Sequence, residues 1–206
     1  MGEGHIRKYF RIFALAVLAG IAISIGGIVY LSLENKTAGA LMFTVGLYTI
    51  CVHGLNLYTG KVGYLVTQPV SYLAELIVIW SGNLAGTGLA AVAVRQTRIS
   101  GISKLAGTIS GTKINDRLLS LFLLSVFCGL LMYAAVEGYR SSGHPAILFM
   151  GVAAFILCGF EHCIADMFYF FLGRAWSGRA VGCILVITLG NSVGGMLIPW
   201  VKKWQA

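Results

Sequence analysis

Residues Cys158–Phe170 read C-G-F-E-H-C-I-A-D-M-F-Y-F and place Glu161, His162 and Asp166 inside an otherwise apolar run. Two carboxylates and an imidazole so close together are costly in a lipid bilayer, where such residues usually pair, face a cavity and mark a pathway. We therefore expect this stretch to hold the functional site. The alternative is an extramembrane turn between two short hydrophobic segments, and the apolar residues on both sides of the cluster argue against it.

The overall composition is that of an integral membrane protein. Of the 206 residues, 58% are hydrophobic and only 11% are charged, whereas about 25% of the residues in a soluble domain carry a charge. Apolar runs recur about six times, each at roughly the 20 residues that a helix needs to span a bilayer. These runs are continuously apolar and do not alternate as the strands of a barrel do, so the sequence predicts an all-α membrane protein.

The charged residues and the cysteines exclude two further classes of protein. The formal net charge is +8, but the lysines and arginines are spread thinly, without the dense basic tracts that bind nucleic acid. We expect no nucleic-acid partner and relate the positive charge to the lipid bilayer and to anions. The cysteines are odd in number and lie in or beside apolar runs, which favours free buried thiols over disulfides. They are Cys51, Cys128, Cys158, Cys163 and Cys183.

Six spans are predicted, of which the second and the fifth are interrupted. Met1–Arg11 resembles the start of a signal peptide, but the apolar stretch that follows is too long for one and lacks a clean A-x-A exit, so we expect a retained first helix. The second span breaks at residues 53–63, and Arg95–Arg117 is predicted to be a polar, basic loop. The predicted spans are Ile12–Leu33, Gly39–Leu55, Ser71–Val94, Leu118–Tyr139, the pair Ala146–Leu157 and Met167–Leu172, and Ala180–Val201.

The two halves of the chain contain a similar short motif. Residues 82–86 read G-N-L-A-G in the third span, and residues 190–194 read G-N-S-V-G in the sixth. Three spans per half is an odd number, so the second half must enter the membrane from the opposite face. The sequence therefore predicts one channel domain over residues 1–206, with inverted 3+3 repeats at about residues 12–95 and about residues 117–201. Broken helices at corresponding positions indicate a binding site near the bilayer midplane.

The orientation follows less directly from the basic residues. With both termini in the cytoplasm, the basic 95–117 segment lies outside, which the positive-inside rule does not favour. We favour cytoplasmic termini because the first segment usually dominates, and we interpret the outer charge as a collector of anions.

His162 and Thr59 are the polar residues most suited to a site at these breaks. A histidine can hold or release a proton near neutral pH and can donate to an anion. The exposed amides of a broken helix add a positive partial charge. Thr59 stands one residue before Gly60 in the break of the second span, where its hydroxyl can donate or accept. A loop that merely reconnects two helices explains Thr59 equally well, and a membrane histidine is often only an interhelical hydrogen-bond partner.

Residues 159–167, G-F-E-H-C-I-A-D-M, resemble the F-E-H-S-I/V-A-N-M signature of the formate/nitrite transporter family. Residues 56–60, N-L-Y-T-G, are similar to that family's E-L-F-T-G loop, and residues 82–86 to its G-N-L-V-G third helix. The resemblance covers essentially the whole chain. It implies an aquaporin-like protomer of six helices, assembled as a homopentamer in the bacterial cell membrane with one anion pore per protomer.

The same resemblance implies roles for individual residues. His162 becomes the central pore histidine, Thr59 its partner on the broken second helix, and Lys113 a vestibule lysine that draws anions inward. The predicted cytoplasmic constriction consists of Phe43 and Leu47, and the outer one of Leu57, Tyr58 and Phe155.

Three residues depart from the family pattern. Asn56 stands where the family usually has Glu, Asp166 where it usually has Asn, and Gly129 where many members have a pore-side Asn. Asn56 removes a carboxylate and Asp166 adds one, which suggests a compensating swap. The swap would keep one carboxylate, in addition to Glu161, in the same layer of the protein.

We thus expect a channel for small monovalent anions of weak acids, formate first and nitrite or hydrosulfide next. His162 would couple anion passage to protonation, and neither an enzymatic activity nor a cofactor is expected. Two alternatives remain: a neutral-solute channel for water or glycerol, and a membrane metalloenzyme with His162, Asp166 and Glu161 as metal ligands. The metalloenzyme would need a further group of histidines, which the sequence does not provide near this cluster, so no metal site is predicted.

Overall fold

The computed structural model describes residues 3–204, and every regular element among them is helical. The first half contains α1 (Glu3–Ser32), α2 (Lys36–Val52), a short 3₁₀ helix (Val62–Val66) and α3 (Tyr72–Arg95). The second half contains α4 (Ile102–Asn115), α5 (Leu118–Ser142), α6 (Ala146–Leu157), α7 (Cys163–Leu172) and α8 (Gly178–Lys203). The predicted all-α class is therefore confirmed.

Four of these helices are long and apolar enough to cross a membrane. They are α1, α3, α5 and α8. The shorter α2, α6 and α7 take the places of the second and fifth predicted spans. The predicted interruption of those two spans is thus present in the structure. Helix α1 begins before the apolar stretch and includes the basic residues that resembled the start of a signal peptide.

The long helices pack in two pairs, α1 on α3 and α5 on α8, through the small residues of the repeated motif. A Cβ atom on Gly86 would clash with the carbonyl oxygen of Val17, and one on Gly194 would clash with that of Val126. Only glycine allows the two backbones to approach so closely. The close approach occurs at equivalent positions of the two halves.

The helices α2 and α6 end in the same way. Each is followed by a glycine with a positive φ angle, Gly54 at 63° and Gly159 at 68°. The next amide then donates back to a carbonyl five residues earlier, Leu55 to Ile50 at 3.0 Å and Phe160 to Phe155 at 2.9 Å. This is the Schellman motif, which stops a helix and turns the chain. A local signal therefore interrupts both spans at corresponding points.

The prediction of a loop at residues 95–117 was wrong, because α4 occupies most of that segment. Its glycines, serines and threonines hid an apolar face with helical spacing, formed by Ile102, Leu105, Ala106 and Ile109. That face packs on α7, and a Cβ on Gly173 would meet the amide nitrogen of Gly107 at 2.6 Å. Helix propensity alone is low here, so tertiary packing stabilises the helix.

All five cysteines are free, as predicted. Three of them are buried, and Cys51 is partly buried. Cys158 is exposed, contrary to the prediction, because it lies at the end of α6, where the chain turns.

Candidate functional site

The two chain breaks are held in place by two equivalent asparagines. Asn83 Oδ1 accepts from the amide of Tyr58 at 2.9 Å, and its Nδ2 donates to the carbonyls of Ala16 at 2.8 Å and Asn56 at 2.9 Å. The oxygen and the nitrogen of the Asn83 side-chain amide are thus both hydrogen-bonded, and the side chain holds the extended loop at residues 56–58 against α1.

Asn191 makes the corresponding set in the second half. Its Oδ1 accepts from the amide of Cys163 at 2.9 Å, and its Nδ2 donates to the carbonyls of Ser125 at 2.9 Å and Glu161 at 2.8 Å. Both asparagines are fully buried. The motif therefore fixes the residues on either side of His162 as firmly as it fixes those before Thr59.

The breaks bring Thr59 and His162 together in the interior. Thr59 Oγ1 lies 2.9 Å from His162 Nε2, although the two residues are 103 positions apart. Thr59 is fully buried and His162 is 2% exposed. The alternative of an extramembrane turn is wrong, because the polar cluster lies inside the helical bundle. The structure thus places the two residues side by side, as the resemblance implies.

The hydrogen bonds of His162 define which ring nitrogen carries the proton. His162 is the N-cap of α7, and its Nδ1 accepts from the amide of Ala165 at 3.2 Å. A neutral imidazole that accepts at Nδ1 must carry its hydrogen on Nε2, which then donates to Thr59 Oγ1. The hydroxyl hydrogen of Thr59 is consequently free to donate to a molecule in the pathway.

Apolar side chains flank this polar pair, but in a different pairing from the predicted one. Phe43 packs edge-to-face on Phe155 with ring centroids 6.0 Å apart, and Phe155 stacks on His162 at 5.7 Å. Leu47 and Leu57 line a separate cavity. Phe43 and Leu47 are one helical turn apart on α2, which separates them by about 6 Å along the axis. They therefore fall at different depths and cannot form one constriction.

A cavity of about 140 Å³ lies on the α4 side of the phenylalanine pair. We call it the Lys113 vestibule. Its wall includes Phe43, Phe155, His162, Asp166 and Lys113. The cavity thus connects a cation, a carboxyl group and the central histidine.

Lys113, which the resemblance makes a vestibule lysine that draws anions inward, does line a vestibule but is largely buried and ion-paired. Its side chain is only 12% exposed, and its Nζ contacts Glu161 Oε2 and lies 3.0 Å from Asp166 Oδ1. Both carboxyl groups are buried. We call these three residues the Lys113 cluster. Because Lys113 follows Ile109 by one helical turn, the apolar face of α4 turns it inward.

The opposite mouth holds cations that the sequence analysis missed. A smaller cavity of about 10 Å³ lies next to Leu47 and Leu57, and its wall includes Lys61 and Arg140. We call it the Arg140 vestibule. Among residues 3–204, neither cation forms an ion pair with a carboxylate. The Arg140 guanidinium instead donates to the hydroxyl of Tyr64. Lys61, in the break of the second span, was the available signal, since Arg140 lies in the last turn of α5 and is brought there by packing.

Three predicted residues lie away from the pathway. Tyr58 points towards α8, where its hydroxyl lies 2.9 Å from Ser192 Oγ, because successive side chains of the extended loop alternate. Asn56 Nδ2 donates to the carbonyl of Ile12 at 3.3 Å, in a different network from Asp166, so the geometry does not support a compensating swap. A Cβ on Gly129 would clash with the backbone of α8, so this position is not pore-side.

The metal-site alternative gains no support from the geometry. Both ring nitrogens of His162 are already bound, and the carboxyl groups of Glu161 and Asp166 face Lys113. A ligand set for a metal would need these groups free. Within residues 3–204, no group of three or more metal-ligating side chains is present.

The fold and this site define a multi-pass helical membrane protein in which two broken helices meet at a buried polar pair. The formate/nitrite transporter family matches residues 3–205 of the sequence. The chain belongs to that family, whose curated members are channels and transporters and not enzymes.

Individual relatives agree over nearly the whole chain. The formate channel FocA of Haemophilus influenzae is 27% identical, covering 93% of this chain and 84% of its own. The nitrite transporter NirC of Escherichia coli is 24% identical, covering 93% and 81%. A solved structure described as a pentameric formate channel with formate bound superposes with a TM-score of 0.81 at 25% identity, covering 97% of each chain. Another, an FNT family ion channel, gives a TM-score of 0.83 at 22% identity.

Proposed function

We propose that this protein is a channel for small monovalent anions of weak acids, with formate first and nitrite and hydrosulfide next. The Thr59–His162 hydrogen bond carries the proposal, since it leaves a hydroxyl donor at the centre of the bundle between two apolar pairs. A site that offers hydrogen-bond donors between apolar walls suits a small anion. Relatives named for formate and nitrite point to the same substrates.

An anion has to be neutralised to pass the apolar pairs. Phe43 with Phe155, and Leu47 with Leu57, exclude water from the path, and a bare charge is costly in such surroundings. In our proposal His162 couples passage of the anion to a proton, so that the two cross together with little net charge. His162 can accept a second proton only on Nδ1, which breaks its bond from Ala165. Protonation and the helix cap therefore compete.

The proposed assembly is a homopentamer in the bacterial cell membrane, with one pore in each protomer and the termini in the cytoplasm. A similar solved structure is described as pentameric. The outer surface of α2 exposes Leu41, Met42 and Val45, which is suitable for contact with lipid or with a neighbouring protomer. In this orientation the Lys113 vestibule faces outward and the Arg140 vestibule faces the cytoplasm.

Flux in proteoliposomes tests the proposal against the neutral-solute alternative. Formate, nitrite and hydrosulfide are compared side by side with glycerol in the same vesicles. We expect uptake of the anions, saturation with concentration and little glycerol-driven swelling. Rapid swelling of the vesicles in glycerol without uptake of anions would contradict the anion channel and support a neutral-solute channel.

A further inference from the structure

The Lys113 cluster has an unbalanced charge if all its members are ionised. One ammonium group faces two carboxylates, so the cluster carries one net negative charge in the interior. An uncompensated buried charge is costly, and it repels any anion that enters the adjacent cavity. One additional proton would make the cluster neutral.

Asp166 has an oxygen that is placed to hold that proton. Its Oδ1 lies 3.0 Å from Lys113 Nζ, whereas its Oδ2 is buried and has no hydrogen-bond partner among the described residues. The residue is 1% exposed and forms part of the wall of the Lys113 vestibule. A buried acceptor left without a partner destabilises the protein, and more so if it is charged. A proton on this oxygen would remove the charge and give Asp166 an O–H donor beside the cavity.

Within residues 3–204, Lys113 is the one cation that pairs with Asp166. His162 is neutral in the tautomer that its two hydrogen bonds require. Helix α3 packs on α7 but carries its charged residues at its ends, Glu75 and Arg95. The other titratable groups around Asp166 are Lys113 on α4, Glu161 and His162 at the break, Cys163 and Tyr169 on α7, Tyr30 on α1, Cys128 on α5 and Cys183 on α8.

We propose that Asp166 holds a proton on Oδ2 and transfers it to the anion in the Lys113 vestibule. This inference rests on the proposed function and names the residue that supplies the coupled proton. The O–H bond of the carboxyl group breaks, a new O–H or S–H bond forms on the anion, and the Asp166 carboxylate remains beside Lys113. Water in the vestibule then returns a proton to Oδ2. The neutral acid formed can enter between Phe43 and Phe155 without the cost of a bare charge.

The geometry favours Asp166 over His162 as the first proton donor. The only N–H hydrogen of the neutral His162 ring points to Thr59, and the other ring nitrogen accepts from the Ala165 amide as the cap of α7. Donation to an anion by His162 would break the contact with Thr59, whereas donation by Asp166 leaves both hydrogen bonds of His162 in place. Asp166 therefore protonates the anion first, in the vestibule, and His162 acts on the same proton at the centre, where the proposed function places the coupling.

The test is the pH dependence of formate uptake into proteoliposomes, with protein-free vesicles measured to subtract diffusion of formic acid. If one protonated carboxyl group is required, uptake by the wild type falls about tenfold per pH unit on the alkaline side of its titration. Asp166→Asn leaves one ammonium group facing one carboxylate, so the cluster needs no added proton to be neutral, and we expect its uptake to vary less than about twofold over the same range. Its ratio of protons to formate also falls.

A matched control replaces a carboxylate that pairs with a lysine elsewhere. Glu75 lies 2.6 Å from Lys8 at the other end of the bundle, so Glu75→Gln should keep the wild-type pH profile. If Asp166→Asn conducts with the wild-type profile and proton ratio, the role of Asp166 is overturned while the channel stands. Wild-type vesicles that take up no formate would instead overturn the proposed function.

Infrared spectroscopy provides a measurement that depends on neither transport nor correct folding of the variant. A protonated carboxyl group has a carbonyl stretching band that shifts in D₂O. We expect such a band in the wild type, with a change when formate is added and none when sulfate is added. If the wild type shows no protonated-carboxyl band near neutral pH, the proposal is wrong.

Discussion

Asn83 and Asn191 make equivalent sets of three hydrogen bonds, one set at each break of the helical bundle. Each accepts from a loop amide, Tyr58 or Cys163, and donates to two backbone carbonyls. The repeated motif therefore has the same structural role in both halves of the chain. It holds the backbone of the two interrupted segments, and the side chains at the breaks differ because their tasks differ.

Replacement of Asn191 by Asp should strongly destabilise the protein. The substitution is isosteric, but the two donated bonds become contacts between oxygen atoms, each leaving a buried carbonyl without a partner at about 1–3 kcal/mol. We expect a clear fall in the melting temperature of the detergent-solubilised protein, and a similar fall for Asn83→Asp. Ser81→Ala is the control, since Ser81 is bonded only within its own helix. An unchanged melting temperature in either aspartate variant would show that the equivalent bonds are unimportant.

Thr59→Val should preserve the fold but lower anion flux by about tenfold, the effect expected from losing one hydrogen bond of about 1.4 kcal/mol. The change removes the acceptor for His162 Nε2–H together with the hydroxyl that is free to donate. Thr59→Ser should retain most of the flux because it keeps the hydroxyl. Thr49→Val serves as a control, since Thr49 bonds only to Val45 of its own helix. Equal flux in the valine and serine variants would contradict the role of the hydroxyl.

His162→Asn should assemble and conduct but change the balance between charge and protons. Asparagine is a good N-cap, so it can still accept from the Ala165 amide, but it has no titratable proton. We expect current and internal pH, recorded together in liposomes, to show more charge moved per proton than in the wild type. His162→Phe should remove the cap and block anion passage. An identical charge-to-proton ratio in the asparagine variant and the wild type would make His162 a structural histidine.

Lys113→Met should cause a larger loss than expected for an exposed vestibule charge. It leaves Glu161 and Asp166 buried together without a cation, and breaking a buried ion pair typically costs about 3–5 kcal/mol. We expect poor assembly or a much lower melting temperature, and partial rescue in the double variant with Asp166→Asn, since the two sites are coupled. A fully stable single variant would contradict the buried pairing.

Lys61→Gln should weaken anion entry from the Arg140 vestibule. Lys61 is partly buried and unpaired with any carboxylate in the described part of the chain, so its charge is available to attract anions at that mouth. We expect lower flux at low anion concentration and low ionic strength, with the difference reduced by added salt. Lys104→Gln, an exposed lysine on α4, controls for overall charge. A deficit that persists unchanged at high salt would argue against long-range attraction.

Several features of the site required the tertiary structure because they depend on residues far apart in the chain. The inward direction of Lys113 follows from the helical form of α4, which its glycines and hydroxyl residues concealed. The pairing of Phe43 with Phe155 joins α2 to α6, and no sequence spacing specifies it. The orientation of Tyr58 towards Ser192 likewise depends on how α8 packs.

The sequence by itself determined the all-helical membrane class, the two interrupted spans and the polar stretch at Cys158–Phe170. These features are local, since apolar runs, helix-ending glycines and charged residues within apolar runs can each be recognised in a short stretch of sequence. The pairing of Thr59 with His162 was implied by the family resemblance and not by any local pattern, and only the tertiary structure decided that one lysine faces two carboxyl groups. The physical reason is that hydrogen bonds and charge balance depend on distances in space, and these are set by the packing of helices that are remote in sequence.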